Sequence, residues 1–345
     1  MRFLSVLTLF LVLLFSHLVR AVEKPQLFGV QKSASAISVS PRGDRMVVDD
    51  DKTNGFQMWD VASKRVLWKS DDYFLCFSND KDEDEDYEIL APTDIVMVAR
   101  GAHLVDGKLV DLEGVKLEMI DARTGEFRYG LGLGEQPAED EGEEFLDCGF
   151  SKDGLQFRVA MKNHLRLYNL VQGGYLLPLV PWTGIEAQNG LKDAAFIPGK
   201  EQLIAYDEGG LMLLDATNGA FIKRLAGDPA LQARPDNDIF LDVSPDNFFF
   251  IENFYGEPND HANDSRICRF SDGKLLWRAV NWPALSPDGK LAYVSTPSGL
   301  EVFDSHTGHK IKSLAGLTSE AFTPSPDGNY LYEARDGKIW RWRAL

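Results

Sequence analysis

The chain has 345 residues, of which 53 are Asp or Glu and 36 are Lys or Arg, so its formal net charge is −17. A surface this acidic repels phosphate groups, which argues against nucleic acid and against an anionic membrane as partners. The composition therefore argues against two classes of partner but does not indicate a function.

The first 21 residues have the pattern of a secretory signal peptide. Arg2 precedes an apolar run over residues 3–15, and a small residue, Ala21, ends the segment. An uncleaved anchor helix is the alternative, but the run is shorter than the roughly 18 apolar residues that a membrane span needs. We predict cleavage near Ala21, one mature domain over residues 22–345 without a membrane span, and a secreted or periplasmic location. Cleavage would change the formal charge to about −19, because it removes two basic residues and no acid.

Beyond residue 21, one turn signature recurs along the chain, and Ser286-Pro287-Asp288-Gly289 is its clearest example. Proline sets the backbone angle of the second turn position, aspartate bonds to a nearby amide, and glycine accepts positive φ. Equivalent turns begin at Ser40, Ser78, Ser151, Ile197, Ser244, Ser286 and Ser325. All intervals but one are 38–47 residues, close to the period of roughly 40 to 50 that marks propeller blades. The interval of 73 residues after Ser78 leaves room for a hidden further blade.

A second turn signature, Asp-x-x-Thr-Gly in its clearest copies, recurs in phase with the first. Its copies begin at Asp60, Asp121, Asn169, Asp215, Arg269 and Asp304. The repeat over residues 282–314 also contains four short apolar runs of strand length, which predict one four-stranded meander. Two turn signatures in phase predict an all-β fold, a seven-bladed β-propeller of four-stranded antiparallel blades.

The last repeat lacks a fourth strand. It ends after a third strand at residues 338–343, whereas residues 26–31 form a spare strand before the first repeat. Pairing the two would cover both open sheet edges. We therefore predict a ring that is closed by an N-terminal strand completing the last blade.

The repeats resemble those of the WD-repeat-like and YVTN-type β-propellers of secreted proteins, over about residues 26–345. The likeness is carried best by residues 287–290, 292–294 and 302–308. Only Trp59-Asp60 matches the Trp-Asp end of true WD repeats, and no Gly-His opens the blades, so the hydrogen-bonded tetrad of that family is not expected. The resemblance implies the fold and leaves the function open, because propellers host binding proteins and enzymes alike.

Three tryptophans, Trp68, Trp277 and Trp340, are similar in position to those of the tryptophan docking repeats in quinoprotein propellers. That resemblance implies pyrroloquinoline quinone as an alternative cofactor. However, quinoprotein alcohol dehydrogenases usually hold the cofactor against a disulfide between adjacent cysteines, and no two cysteines are adjacent here.

Long loops predict which face of the ring is functional. Connections between blades and between second and third strands share one face, and the tight turns share the other. The first face has insertions at residues 101–115, 132–144, 181–190, 227–238 and 256–265, whereas the other has one, at residues 79–88. Because binding residues concentrate on loops of a rigid scaffold, we place the binding face where most insertions lie.

Five residues in these insertions are candidate binding residues. Trp182 is either a lid packed on the ring or a platform for a ligand. His261 could act as a base or ligand together with Asp260, although a solvated polar loop explains both equally well. His103 and Arg234 lie in insertions on the same face.

A second candidate site lies at the central channel. Asp147, Asp193 and Asp242 precede three successive first turns by four, four and two residues, on inner strands that are otherwise mostly small or apolar. They could converge as a carboxylate cluster for a metal or an enzyme. Alternatively, they could bond backbone amides between blades.

The three cysteines, Cys76, Cys148 and Cys268, cannot all pair within one chain. Cys76 and Cys148 lie two and three residues before their aligned serines, and this offset points them to opposite sheet faces in regular strands. Buried thiols are therefore expected rather than a disulfide, although an oxidising compartment permits one.

No zinc spacing, Gly-x-Ser-x-Gly elbow, phosphate loop or haem-attachment motif is present in the sequence. Residues 80–86 alternate acids as a calcium loop does, but Glu85 occupies the position where such a loop needs glycine. We therefore predict a non-catalytic, monomeric binding scaffold for a protein, peptide or glycan, with no metal or cofactor. The alternative is a propeller enzyme, a quinone-dependent dehydrogenase or a metal-assisted hydrolase or lyase, with calcium or pyrroloquinoline quinone at the channel.

Overall fold

The structure is a computed structural model. It describes residues 25–31, 33–50, 55–77, 95–100, 103–105, 108–110, 116–132, 145–151, 156–161, 164–171, 175–178, 191–207, 209–225, 238–255, 263–314, 316–317 and 321–344. The predicted signal peptide lies outside these residues. The described part of the chain consists of strands and turns and contains no helix.

Seven four-stranded antiparallel sheets form the described structure. The strands of blades 1 to 3 are β2 (Ala34–Val39), β3 (Arg45–Asp50), β4 (Gly55–Asp60) and β5 (Arg65–Ser70); β6 (Tyr73–Phe77), β7 (Ile95–Arg100), β10 (Lys116–Asp121) and β11 (Phe127–Gly132); β12 (Phe145–Phe150), β13 (Gln156–Met161), β14 (His164–Val171) and β15 (Tyr175–Pro178). A separate hairpin, β8 (His103–Val105) with β9 (Lys108–Val110), lies between β7 and β10. The long second repeat is thus one blade with an insertion.

Blades 4 to 6 follow the same order. Their strands are β16 (Leu191–Phe196), β17 (Gln202–Asp207), β18 (Gly210–Asp215) and β19 (Phe221–Arg224); β20 (Asp238–Val243), β21 (Phe249–Tyr255), β22 (Asn263–Arg269) and β23 (Leu275–Ala279); β24 (Ala284–Leu285), β25 (Leu291–Thr296), β26 (Gly299–Asp304) and β27 (Lys310–Leu314). Each sheet is a meander of sequential neighbours.

Blade 7 combines both ends of the described chain. Three strands, β28 (Phe322–Pro324), β29 (Tyr330–Arg335) and β30 (Lys338–Arg343), are completed by β1 (Gln26–Val30). β1 runs antiparallel to β30, with Gln26 opposite Arg341 and Val30 opposite Lys338. The predicted ring closure is confirmed, and the chain is a seven-bladed β-propeller.

The two recurring turns are built by side-chain hydrogen bonds. In the first turn of blade 6, the Ser286 hydroxyl donates to Asp288 (2.7 Å) and accepts from the Leu291 amide (2.9 Å). In the second turn, the Asp304 carboxylate accepts from the Thr307 amide (2.9 Å) and the Thr307 hydroxyl (2.7 Å). Gly308 closes that turn at φ 69°, where glycine has no Cβ clash.

The hydrophobic core lies between blades. The core clusters among the described residues each draw their side chains from two consecutive blades. One of them packs Tyr206 and Leu213 of blade 4 against Leu241 and Phe250 of blade 5. Blades 7 and 1 share a cluster in which Phe28 of β1 packs on Tyr332 with ring centroids 5.3 Å apart. Each blade therefore depends on its neighbours for burial.

Two tryptophans on outermost strands join consecutive blades. The Trp68 indole donates to the Ala122 carbonyl (2.9 Å), and the Trp277 indole donates to the Ser305 carbonyl (2.7 Å). Each ring covers the glycine of the next blade's second turn, Gly125 or Gly308. Trp340, in contrast, lies in the third strand of blade 7 and packs in the cluster between blades 6 and 7.

Candidate functional site

Most candidate residues on the insertions lie outside the described residues. These are Trp182, Arg234, Asp260 and His261. His103 begins the β8–β9 hairpin, whose backbone alone is described. A binding role for these five residues stays a prediction.

The channel aspartates occupy different environments. The carboxylate of Asp193, a residue that is only 1% exposed, accepts a hydrogen bond from the amide of its neighbour Ala194 (2.7 Å). It accepts a second from the amide of Leu241 in blade 5 (2.6 Å), across the interface between the two blades, which we call a seam. Arg158 of blade 3 lies 3.8 Å from the same carboxylate. The Asp193 carboxylate therefore ties three consecutive blades together.

Asp242 is exposed, and its carboxylate accepts from the Val243 amide (2.8 Å). Asp147 lies in β12, and only the backbone of this residue is described. Among the described residues, no group of three or more His, Cys, Asp or Glu side chains is arranged to hold a metal ion. Whether these carboxylates converge in the channel stays a prediction.

A partly exposed aromatic pair, formed by Phe240 and Trp282, was not predicted from the sequence. The two ring centroids are 5.2 Å apart with the rings tilted by 55°, and Trp282 is 40% exposed. Phe240 lies in the inner strand β20 of blade 5, and Trp282 lies in the connection that leads into β24 of blade 6. We call this pair the aromatic ledge.

The aligned turns contain a signal that could have found the ledge. Phe240 and Trp282 each lie four residues before their turn serine, Ser244 or Ser286, and Asp193 holds the same place in blade 4. The sequence-based prediction considered only carboxylates at this position and therefore selected Asp193, which is buried in the structure. The aromatic residues of the next two blades remain accessible.

The ledge lies on the face that the insertions share, because inner strands begin where the connection from the preceding blade arrives. That connection is held by Asn281, whose side-chain amide donates to the Ser295 carbonyl (2.6 Å). Val280 beside it is 65% exposed. The ledge is therefore an apolar, preorganised surface.

One buried carboxyl has an unusual protonation equilibrium. Burial raises the pKa of Asp49, in the second strand of blade 1, to about 7. Its Oδ1 atom is buried and has no hydrogen-bond partner among the described residues. The Asp49 carboxyl therefore titrates near neutral pH. It lies in blade 1, whereas the aromatic ledge is formed by blades 5 and 6.

The prediction of thiols rather than a disulfide is confirmed for Cys76 and Cys148, although Cys76 is only half-buried. The Sγ atoms of the two residues nevertheless lie only 3.9 Å apart. The two do point to opposite faces of their own blades, but consecutive blades in a ring pack through opposite faces. Ala195 of blade 4 and Leu241 of blade 5, at the matching positions, meet in one cluster for the same reason. The inference that this offset separates the thiols was wrong.

Comparison with solved structures supports the architecture. The chain is similar to the β-propeller domain of Cps50 (Swd1) from Myceliophteria thermophila, with a TM-score of 0.57 and 15% identity over 93% of this chain and 100% of that one. It is also similar to hydrazine synthase from Kuenenia stuttgartiensis, with a TM-score of 0.57 and 13% identity over 94% of this chain and 99% of that one. At these identities, the likeness shows the fold alone.

No family model matches the chain, and no curated protein matches it. The WD-like and YVTN-like repeats are therefore supported as propeller blades and not as members of a sequence family. None of the described residues forms a helix long and apolar enough to cross a membrane.

Proposed function

We propose that the protein is a non-catalytic binding scaffold, secreted or periplasmic, that holds a basic peptide segment of a partner protein on the aromatic ledge. The observation that carries this proposal is the exposed Trp282 ring, which packs against Phe240 at a tilt of 55°. Large exposed aromatic side chains on rigid supports are typical of binding surfaces.

The charge of the surroundings favours a basic ligand. Asp242 is exposed and lies two residues from Phe240 on the same side of β20, since the residues that alternate with them are buried. The whole chain carries a formal charge of −17. An indole face attracts Lys or Arg side chains, and neighbouring carboxylates strengthen that attraction. A glycan would use the ring but not the charge.

Peptide and glycan probes test this proposal directly. We would pan a random peptide display library and a glycan array with the purified protein, and measure affinities of selected peptides for wild type, Trp282→Ala and Phe221→Ala. Phe221 is a matched control, because it is 59% exposed on the outermost strand of blade 4. We expect peptides that contain Lys or Arg, at least a tenfold loss of affinity in Trp282→Ala, and none in Phe221→Ala.

Salt adds a second readout, since charge-assisted association slows as ionic strength rises. The proposal would be overturned by binding confined to glycans, or by equal affinities in wild type and Trp282→Ala.

The enzyme alternative has a separate test. A ligand bound only by the folded state raises the melting temperature. We expect calcium and pyrroloquinoline quinone to leave it unchanged. A rise of several degrees that is lost in Asp242→Asn would favour a catalytic channel instead.

A further inference from the structure

The inner strands of blades 2 and 3 place two thiols at one seam. Cys76 lies in β6 and Cys148 in β12, with their sulfur atoms 3.9 Å apart. Cys148 is 6% exposed, and Cys76 is more accessible. The third cysteine, Cys268, is fully buried in the core between blades 4 and 5, so it belongs to a different seam.

Only a small rearrangement separates this pair from a covalent bond. A disulfide has a sulfur–sulfur distance of about 2.05 Å, so the two atoms must approach by about 1.9 Å. Each sulfur sits one torsion from the backbone, and rotation about χ1 moves it without moving the strand.

We propose that Cys76 and Cys148 form a disulfide that links the inner strands of blades 2 and 3. The oxidant is a disulfide, such as oxidised glutathione or the active-site disulfide of a thiol oxidoreductase, of the kind found in oxidising compartments. The proposal is independent of the aromatic ledge, which blades 5 and 6 form.

The reaction begins at the more accessible thiol. The Cys76 thiol loses its proton, and its thiolate attacks the oxidant's disulfide, forming a mixed disulfide and releasing one reduced thiol. The Cys148 thiolate then attacks the Cys76 sulfur, which forms the protein disulfide and releases the second thiol. The two cysteines lose two electrons and two protons in total, and the oxidant's disulfide gains both.

This link would close a long loop. The two cysteines are 72 positions apart, so the disulfide restricts a large part of the unfolded chain. We expect the oxidised protein to melt about 5 °C above the reduced protein.

The first measurement is a thiol count and a peptide map of the wild-type protein. We would incubate the folded protein with oxidised glutathione, unfold it in alkylating reagent, and digest it for mass spectrometry. Of the three cysteines, we expect one, Cys268, to be alkylated, and the peptides that contain Cys76 and Cys148 to be joined. Three alkylated cysteines, or a link that includes Cys268, would overturn the proposal.

Serine variants give the second measurement. Cys268→Ser is the matched control, and it should keep both the joined peptides and the melting shift on oxidation. Cys76→Ser and Cys148→Ser should lose both. An equal rise in melting temperature on oxidation in all variants would show that oxidation acts elsewhere. If Cys76→Ser or Cys148→Ser folds poorly, the peptide map still tests the proposal, because it uses wild type and Cys268→Ser.

Discussion

Individual residues show how closely this fold is packed, and Gly308 is the clearest case. A Cβ atom there would lie 2.6 Å from Cγ of Trp277, and the residue has φ 69°. Gly199 has the same φ, but nothing lies within 4 Å of a Cβ atom built on it. Substitutions at Gly199 and Gly308 therefore distinguish the cost of backbone strain from the cost of disturbing the contact between blades 5 and 6.

We expect Gly199→Ala to cost about 1 kcal/mol of unfolding free energy, the price of a left-handed alanine. Gly308→Ala should cost at least about 2 kcal/mol more, because the indole that donates to Ser305 must also move. Denaturant unfolding of both variants measures the difference. Equal losses would mean that the tryptophan contact adds nothing to stability.

Asp49 predicts how stability depends on pH. Its pKa is raised by burial from 3.8 to about 7, so the folded state holds a proton that the unfolded state releases near pH 4. Stability from this group is complete below about pH 4 and is lost as pH rises to about 7. Asp49→Asn should therefore stabilise the protein by about 4 kcal/mol at pH 8 and change little at pH 4.

Unfolding in denaturant at both pH values measures this effect. A wild-type-like pH profile in Asp49→Asn would show that Asp49 titrates normally.

At the scale of strands and turns, the fold could be predicted because its signals are local. Ser286 to Gly289 and Asp304 to Gly308 form their turns largely with their own side chains, so spacing along the chain gave the blades and their strand order. The site could not be predicted in this way. The aromatic ledge joins residues from two blades, and the buried Asp193 accepts a hydrogen bond from an amide of the next blade.

Cys76 and Cys148 show the same contrast between local signals, which the sequence contains, and contacts between blades, which it does not. Alternation along a strand predicts on which face of its own blade a residue lies. Whether two faces meet depends on how sheets stack, which no window of sequence contains. Cys76 and Cys148 therefore meet because their faces are opposite.

At the scale of the whole molecule, β1 determines whether the ring is closed. Phe28 is buried between blades 7 and 1, whereas Leu27 beside it is 49% exposed. We expect a protein that begins at Lys32 to melt well below one that retains β1 and to aggregate, because β30 becomes an open edge. Leu27→Ala should melt within about 2 °C of wild type.

Calorimetry and light scattering measure both effects. A truncated protein that stays monomeric and melts at the wild-type temperature would show that the closing strand is dispensable.

The pairing of β1 with β30 also imposes an order of events during synthesis. Arg341 donates to the Gln26 side chain across 315 positions of sequence. The strand made first must therefore stay without its partner until nearly all the remaining blades have been translated, and bringing the two together costs about 5 kcal/mol of chain entropy. A chain that stops before β30 leaves β1 without its partner strand, so its blades form an open arc instead of a closed ring.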